Sequence, residues 1–144
     1  MAVKPIPEGY QTVTPYLVVK GVASVIEFVK NVFDGQERMC HKLPDGSIMH
    51  AELQIGDSVV MLGEACGEWA PMPGNLNVYV PDVDAAYRRA LQAGGTSLRE
   101  PADQLYGDRS GGVKDTSGNF WWISTHIEDV SPEELKRRMA AQKK

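Results

Sequence analysis

Hydrophobic and polar positions along this 144-residue chain follow one pattern that occurs twice. An alternating segment at 14–19 runs into an amphipathic segment at 22–28, and the same succession returns at 75–87. The offset of this match is 61 residues (75 − 14), and a second match, between 56–62 and 118–124, has an offset of 62 (118 − 56). Two matches at nearly the same offset predict a duplicated unit. Because such a duplication builds a cleft between two half-sheets, we expect the function to lie there.

Each repeat predicts the order βαβββ, with strands recognised by period-two alternation and helices by apolar spacings of three and four. The predicted elements of the first repeat are a strand at 11–19, a helix at 22–33 and strands at 36–43, 47–55 and 57–62. Those of the second repeat are a strand at 75–80, a helix at 82–92 and strands at 96–99, 109–115 and 119–125, with a loop at 100–107. A linker rich in glycine and proline at 63–74 joins the repeats, and a capped helix follows at 131–141.

Alternation along the strands separates each predicted sheet into an apolar face and a polar, aromatic face. On the strand at 47–55, for example, His50 and Glu52 lie opposite Ala51 and Leu53. The polar faces are predicted to carry Thr14, Tyr16, Val18, His50, Glu52, Gln54, Val59, Met61, Asn75, Asn77, Tyr79, Phe120, Trp122 and Ser124. Aromatics mixed with amides and one His/Glu pair are typical of a small-molecule pocket. The alternative is the solvated side of an open sheet.

Composition narrows the classes of partner. A net charge of −4 gives no electrostatic reason to expect nucleic acid or an anionic membrane as partner. No apolar run is long enough to span a bilayer, and the first residues lack a secretory signal pattern. Cys40 and Cys66 have no CxxC spacing and are expected to be free thiols. These features predict a cytoplasmic protein.

His50 and Glu52 form the sharpest candidate pair, because positions i and i+2 share one face of a strand. The pair suits acid–base chemistry, with Glu52 orienting the imidazole. It could also begin a relocated metal site with His41 from the neighbouring strand. A third interpretation is a hydrogen-bonded polar pair that shapes the cleft and orients a ligand.

Three further side chains are candidates for ligand contact. Arg109, in a glycine-rich segment, is suited to grip an anionic group or to form an internal salt bridge with Asp108. By alternation Trp122 should lie in the cleft as a stacking platform, whereas Trp121 should lie in the core on the helix side. His126 follows the parity of Trp122 at the end of the strand.

Together with the doubled βαβββ order, five segments resemble the vicinal oxygen chelate superfamily, which includes glyoxalase I, bleomycin-resistance proteins and extradiol dioxygenases. The segments are Pro15-Tyr16-Leu17, His50-Ala51-Glu52-Leu53, Val80-Pro81-Asp82-Val83-Asp84, Tyr106-Gly107-Asp108-Arg109-Ser110-Gly111 and Asp115-x-x-Gly118-Asn119-x-Trp121. The resemblance is closest to the PhnB-like branch. It implies an α+β fold in which 1–144 form one domain, with two βαβββ modules at about 10–63 and 74–128 curled into a half-open barrel around a cleft.

The resemblance also implies a divalent metal held by the first and last strands of each module. In this chain those positions fall on or near Thr14, Met61, Asn75 and Trp122. None of these residues is an ordinary ligand for a catalytic divalent cation. We therefore expect no metal and no cofactor, and a binding protein of bleomycin-resistance type that holds a small organic ligand.

The expected ligand contacts are Tyr16, Asn75, Asn77, Tyr79, Arg109, Phe120 and Trp122. The alternative is a glyoxalase-like lyase or isomerase, or a dioxygenase, that uses a displaced metal or acid–base catalysis by His50 and Glu52. In either case a homodimer is expected, with the cleft close to the interface.

Overall fold

A computed structural model of the protein, which describes residues 3–142, has an α+β fold with two four-stranded mixed sheets and three helices. The first module consists of β1 (Tyr16–Val19), α1 (Val22–Phe33), β2 (Gln36–Lys42), β3 (Ile48–Ile55) and β4 (Ser58–Glu64). The second consists of β5 (Asn75–Tyr79), α2 (Val83–Gln92), β6 (Thr96–Asp103), β7 (Asp108–Lys114) and β8 (Phe120–His126), and α3 (Pro132–Gln142) follows. This confirms the predicted fold class.

The strand order is β1-β4-β3-β2 in the first sheet and β5-β8-β7-β6 in the second, so the two sheets have one topology. In both, the first strand pairs in parallel with the last strand, and the remaining pairs are antiparallel. Tyr16 lies opposite Met61 in the first sheet, and Asn77 lies opposite Trp122 in the second. The sheets do not close into a barrel.

Both modules contribute to one hydrophobic core, in which α1 packs against α2. Trp121 of β8 is fully buried there, with its ring centroid 5.9 Å from that of Phe28 and 5.4 Å from that of Phe33, both in α1. Arg89 of α2 also donates to the backbone oxygen of Val32 at 3.0 Å, near the C-terminal end of α1. Each module therefore completes the packing of the other.

The helices begin where polar side chains accept hydrogen bonds from the free backbone N–H groups of the first turn. The Glu64 carboxylate at the end of β4 accepts from the backbone nitrogens of Gly21 and Val22, at 2.9 and 3.0 Å, and so caps α1. Asp82 accepts from Ala85 at the start of α2, and Ser131 accepts from the backbone of Glu134 at the start of α3, as the capping signal at 131–134 predicts.

One buried carboxylate organises the turn between β7 and β8. Asp115 accepts hydrogen bonds from the backbone nitrogens of Ser117 and Asn119, from the Asn119 side chain and from the Trp121 indole, all at 2.8–2.9 Å. Asn119 Oδ1 in turn accepts from the backbone of Gly74, just before β5. The turn thus fixes both the indole in the core and the entry to β5.

Three predicted boundaries differ from the structure by more than one residue. β1 begins at Tyr16 rather than at residue 11, and Pro15 before it has no N–H with which to extend the ladder. β6 runs on through Pro101 to Asp103, which a sheet edge tolerates because one side of the strand needs no partner. β4 continues to Glu64, two residues past the predicted end. None of the helices within residues 3–142 combines the length and the hydrophobicity that a bilayer span requires.

Candidate functional site

A chain of hydrogen bonds runs across the first sheet, on the face that carries Tyr16, His50, Glu52 and Met61, here called the first polar face. The Tyr16 hydroxyl lies 3.2 Å from Nδ1 of His50, and Nε2 of His50 lies 3.2 Å from Oε2 of Glu52. The Tyr10 hydroxyl donates to the other Glu52 oxygen. The register explains the arrangement, because Glu52 pairs with Met61, which in turn pairs with Tyr16.

Glu52 is nearly fully buried, with 5% of its surface exposed. Burial opposes its ionisation, but hydrogen bonds from Tyr10 and His50, together with the nearby Arg38 charge, outweigh burial and hold the pKa of this carboxyl below its usual value. The same hydrogen bond raises the pKa of Tyr10. Arg38 lies over the Tyr10 ring, with its guanidinium carbon 4.7 Å from the ring centroid. The face therefore holds an ionised carboxylate in a hydrogen-bonded relay with an imidazole.

The second sheet presents a face of different composition, formed by Asn75, Asn77, Tyr79, Phe120, Trp122 and Ser124 and here called the second polar face. The Trp122 indole nitrogen donates to Oδ1 of Asn75 at 2.6 Å. Its ring lies against Gly112, where an added Cβ would come within 2.3 Å of a ring carbon. Phe120 meets the indole edge to face, with the centroids 6.4 Å apart. The missing side chain of Gly112 thus makes room for an aromatic platform.

Polar groups continue along this face. The buried hydroxyl of Ser124 donates to Oδ1 of Asn77 at 2.8 Å. The Tyr79 hydroxyl donates to the buried carboxylate of Asp108 at 2.7 Å, and this bond raises the pKa of Tyr79. His126 lies between Asp108, at 2.8 Å, and Asp129, at 2.7 Å, and the two carboxylates raise its pKa, that of Asp129 contributing most.

A cavity of about 580 Å³ lies between the modules, beside the free edge of β5. Of the predicted site residues it contacts Asn77 and Tyr79. The rest of its wall comes from Gln11, Val13, Pro15, Phe33, residues 55–60, Leu76, Val78, Val80, Pro81 and Trp121. Two residues of the second polar face, Asn77 and Tyr79, therefore border the cavity, whereas Tyr16, His50, Glu52, Asn75, Arg109, Phe120 and Trp122 lie outside its wall.

Arg109 does not join the other predicted site residues. Its position on β7 pairs with Thr125, on the helix side of the sheet, and its guanidinium binds Asp84 of α2 at 2.8 Å and Asp103 at 3.1 Å. Arg109 therefore forms an internal salt bridge, as the sequence allowed, but with Asp84 and Asp103 rather than with Asp108. Arg109 thus fastens α2 to β7 and the end of β6.

The residues at the four implied metal positions do not fit a divalent cation. Thr14 and Met61 offer no carboxylate or imidazole, and Asn75 and Trp122 are hydrogen-bonded to each other. Glu64, the carboxylate closest in sequence to Met61, caps α1 instead. Nor does the relocated site form, since no group of three His, Cys, Asp or Glu side chains within residues 3–142 has metal-binding geometry.

Several residues on or beside these two faces were not predicted from the sequence. Tyr10 contacts Glu52 from an irregular segment, and Arg38 lies over the Tyr10 ring from a bulged edge strand, so neither alternation nor spacing signals them. Arg99 lies over the Trp122 ring at 5.3 Å, on a strand interrupted by register shifts. Asp108 could have been found, because it pairs with His126 and alternation along β7 places it on the same face.

The chain belongs to the Glyoxalase/Bleomycin resistance protein/Dioxygenase superfamily, whose family model matches residues 11–123. An uncharacterized protein of Mycobacterium bovis is 36% identical over 140 residues, covering 90% of this chain and 92% of its own length. A Mycobacterium tuberculosis protein has the same identity and coverage of this chain, with 82% of its own length covered.

Solved structures share the fold. TioX from Micromonospora sp. ML1 superposes with a TM-score of 0.68 at 22% identity, covering 81% of this chain and 99% of its own. A fosfomycin resistance protein from Listeria monocytogenes, complexed with Mn(II) and a dihydroxypropylphosphonic acid, gives a TM-score of 0.62 at 17% identity, covering 88% and 94%. At these identities the likeness establishes the fold alone.

Proposed function

We propose that this protein binds a small, planar or amphipathic organic molecule through its second polar face, without a divalent metal. The observation that supports this most is the Asn75–Trp122 hydrogen bond, which joins two of the four positions implied for metal ligands in an amide–indole pair. An indole and an amide supply contact area and a directed hydrogen bond, which are the requirements of a binding pocket.

The neighbouring residues suit the same task. Tyr79 is 63% exposed and Phe120 is 37% exposed, so both present aromatic surface to a ligand. Asn77 and Tyr79 also line the cavity of about 580 Å³, a volume within the range of small-molecule sites. We propose Asn75, Asn77, Tyr79, Phe120 and Trp122 as contact residues, and Tyr16 as a contact from the first polar face.

The fold itself does not exclude a metal, since a neighbour of the same fold was solved with Mn(II). The proposal of metal independence therefore depends on the residues of this chain. The described residues offer no set of ligands comparable with a metal centre. We also propose, from the sequence motifs alone, a place in the PhnB-like branch, and from composition alone a cytoplasmic location.

A neutral fluorescent probe tests the proposal. N-phenyl-1-naphthylamine emits strongly in apolar sites, and we expect it to bind the wild type equally well with and without excess EDTA. Trp122→Ala should weaken binding about tenfold, because a stacked aromatic contact and its buried area are lost. Trp69→Ala removes an equally large side chain that is 65% exposed in the linker, and it should leave binding unchanged. Equal affinity of all three proteins, or loss of binding in EDTA, would contradict the proposal.

The relay on the first polar face favours a second candidate function, metal-independent acid–base catalysis by His50 and Glu52. Both nitrogens of His50 are engaged, one by the Tyr16 hydroxyl and one by the ionised Glu52. This geometry allows a proton to pass between a ligand at Tyr16 and the imidazole. Turnover of a bound carbonyl compound that is lost in both His50→Gln and Glu52→Gln, but not in Met39→Leu, would establish it.

We further propose a homodimer. Trp69 and Met72 are exposed on the linker that runs beside β1, where Met72 pairs with Val18, and a partner would cover this apolar surface. Light scattering after size exclusion should give twice the 15.8 kDa mass of the chain. A single species of monomer mass at micromolar concentration would contradict this.

A further inference from the structure

Arg99 is a cation on the second polar face, and within the described part of the chain it has no carboxylate partner. Its guanidinium lies over the Trp122 ring, 5.3 Å from the centroid, and its hydrogen bonding to the residues that the structure describes is limited to a long contact of 3.5 Å to the Ser110 hydroxyl. Arg109, Arg137 and Arg138, by contrast, each form an ion pair with Asp or Glu. Within residues 3–142, no carboxylate oxygen lies within 4.0 Å of the Arg99 nitrogens.

The two asparagines of the face turn their donors outward. An indole nitrogen can only donate, so the Trp122 bond fixes the oxygen of Asn75 toward the ring and its NH₂ group away from it. Oδ1 of Asn77 accepts from the Ser124 hydroxyl, and in this arrangement the Asn77 NH₂ group faces away from Ser124 toward a ligand. Neither amide nitrogen has an acceptor among the described residues.

The carboxylate of Asp108 on this face is already engaged by its neighbours. Asp108 accepts from the Tyr79 hydroxyl at 2.7 Å and pairs with His126 at 2.8 Å. The surface around Trp122 therefore offers a guanidinium and two amide donors beside aromatic rings, and its free polar groups are donors. An acceptor that carries negative charge satisfies such a set best.

We propose that the ligand of the second polar face is an organic anion, with an apolar body against Trp122 and Phe120 and a carboxylate, sulfonate or phosphonate group bound by Arg99. This inference rests on the proposed binding function and adds to it the charge of the ligand. Arg99 is then the specificity-determining residue, because its planar fork on an aromatic ring suits a planar or tetrahedral anionic group.

A matched pair of probes separates charge from apolar contact. 8-Anilinonaphthalene-1-sulfonate and N-phenyl-1-naphthylamine share the same two ring systems and differ by one sulfonate group. We expect Arg99→Gln to weaken sulfonate binding about tenfold and binding of the neutral probe less than about twofold, since a charge-assisted hydrogen bond is lost only with the anion. Arg88→Gln removes an equal charge from the exposed side of α2 and should change neither affinity.

The outcomes are distinct. If Arg99→Gln weakens both probes equally, or neither, while both still bind, the anion inference is wrong and the binding proposal stands. If Arg88→Gln weakens sulfonate binding as much as Arg99→Gln does, the effect is one of net charge and the inference is likewise wrong. If neither probe binds the wild type, both proposals fall. The melting temperature of each variant confirms that it is folded.

Discussion

The two sheets share one strand order, but their polar faces carry different side chains at corresponding positions. Glu52 of β3 pairs with Met61, and at the corresponding place in the second sheet Gly112 of β7 pairs with Trp122. One face has a buried carboxylate where the other has no side chain at all. Duplication has therefore preserved the backbone hydrogen bonding while each half acquired its own chemistry.

The difference has consequences for packing. A buried carboxylate needs donors, and the first polar face recruits Tyr10 from outside the sheet to supply one. A glycine needs no partner, and its space is taken by the large ring of Trp122. The first half is thus suited to move or hold protons, and the second half is suited to bind an apolar, acceptor-rich ligand.

The largest difference between the halves should appear in their β-hairpin turns. Asp115→Ala leaves four buried or half-buried donors without an acceptor, and we expect it to lower the free energy of unfolding by about 3 kcal/mol or more. Asp57→Ala, in the exposed turn between β3 and β4, is the control and should cost less than about 0.5 kcal/mol. Urea unfolding measures both, and similar costs at the two turns would contradict the account.

A second comparison adds one methyl group to each polar face. In Gly112→Ala the new Cβ would approach two carbons of the Trp122 ring at 2.3 and 2.4 Å, so the indole must move, and we expect a cost of about 1–3 kcal/mol. In Gly63→Ala the new Cβ meets the hydroxyl end of Tyr16, which is half exposed and can rotate away. Chemical denaturation of both variants, with probe binding as a second readout, checks this. A greater loss of stability in Gly63→Ala than in Gly112→Ala would show the prediction to be wrong.

The carboxylate of the first polar face should make stability depend on pH. Because the folded-state pKa of Glu52 lies below its unfolded value, its contribution is full above pH ~4.3 and is lost as pH falls through the folded pKa. Glu52→Gln should therefore cost about 1–2 kcal/mol at neutral pH, and the gap from wild type should narrow in acid. Urea midpoints across this range test it, and a gap independent of pH would show that ionisation is not what Glu52 contributes.

The smallest expected effect is at the far end of the second polar face. His126 faces Asp108 and Asp129, which raise its folded-state pKa. Its contribution to stability is therefore full below pH ~6.5, and it is lost as pH rises through the raised pKa. We expect His126→Gln to destabilise the protein in mild acid and to match wild type in alkali. An effect of equal size at both ends of the range would contradict the paired-charge interpretation.

Strand alternation predicted more of the fold than of the site. The bounds of α1 agree with the sequence prediction, and Trp121 lies in the core while Trp122 lies on the opposite face, because period and burial are encoded locally. Contacts from outside the sheets were not encoded in this way. Tyr10 reaches Glu52 across 42 positions of sequence, and no spacing rule detects such a contact.

Arg109 shows a second limit of the sequence prediction. A glycine-rich segment suggested a ligand-binding arginine, but alternation along β7 directs its side chain toward α2, where it binds Asp84. The periodicity of α2 shows only that the helix is amphipathic and does not indicate this ion pair. Arg99 shows the converse, since the bulges of β6 decide where its side chain points. Pairing across irregular edges is set by the tertiary structure.

In the second half of this superfamily member, we propose an organic ligand where the resemblance implies a metal. Native mass spectrometry of the purified protein, with elemental analysis of the same sample, distinguishes an organic ligand from a metal. We expect substoichiometric zinc, nickel, iron and manganese, together with a small organic adduct that is lost in Trp122→Ala and retained in Trp69→Ala. One equivalent of a divalent ion per chain, lost on His50→Ala, would contradict this proposal.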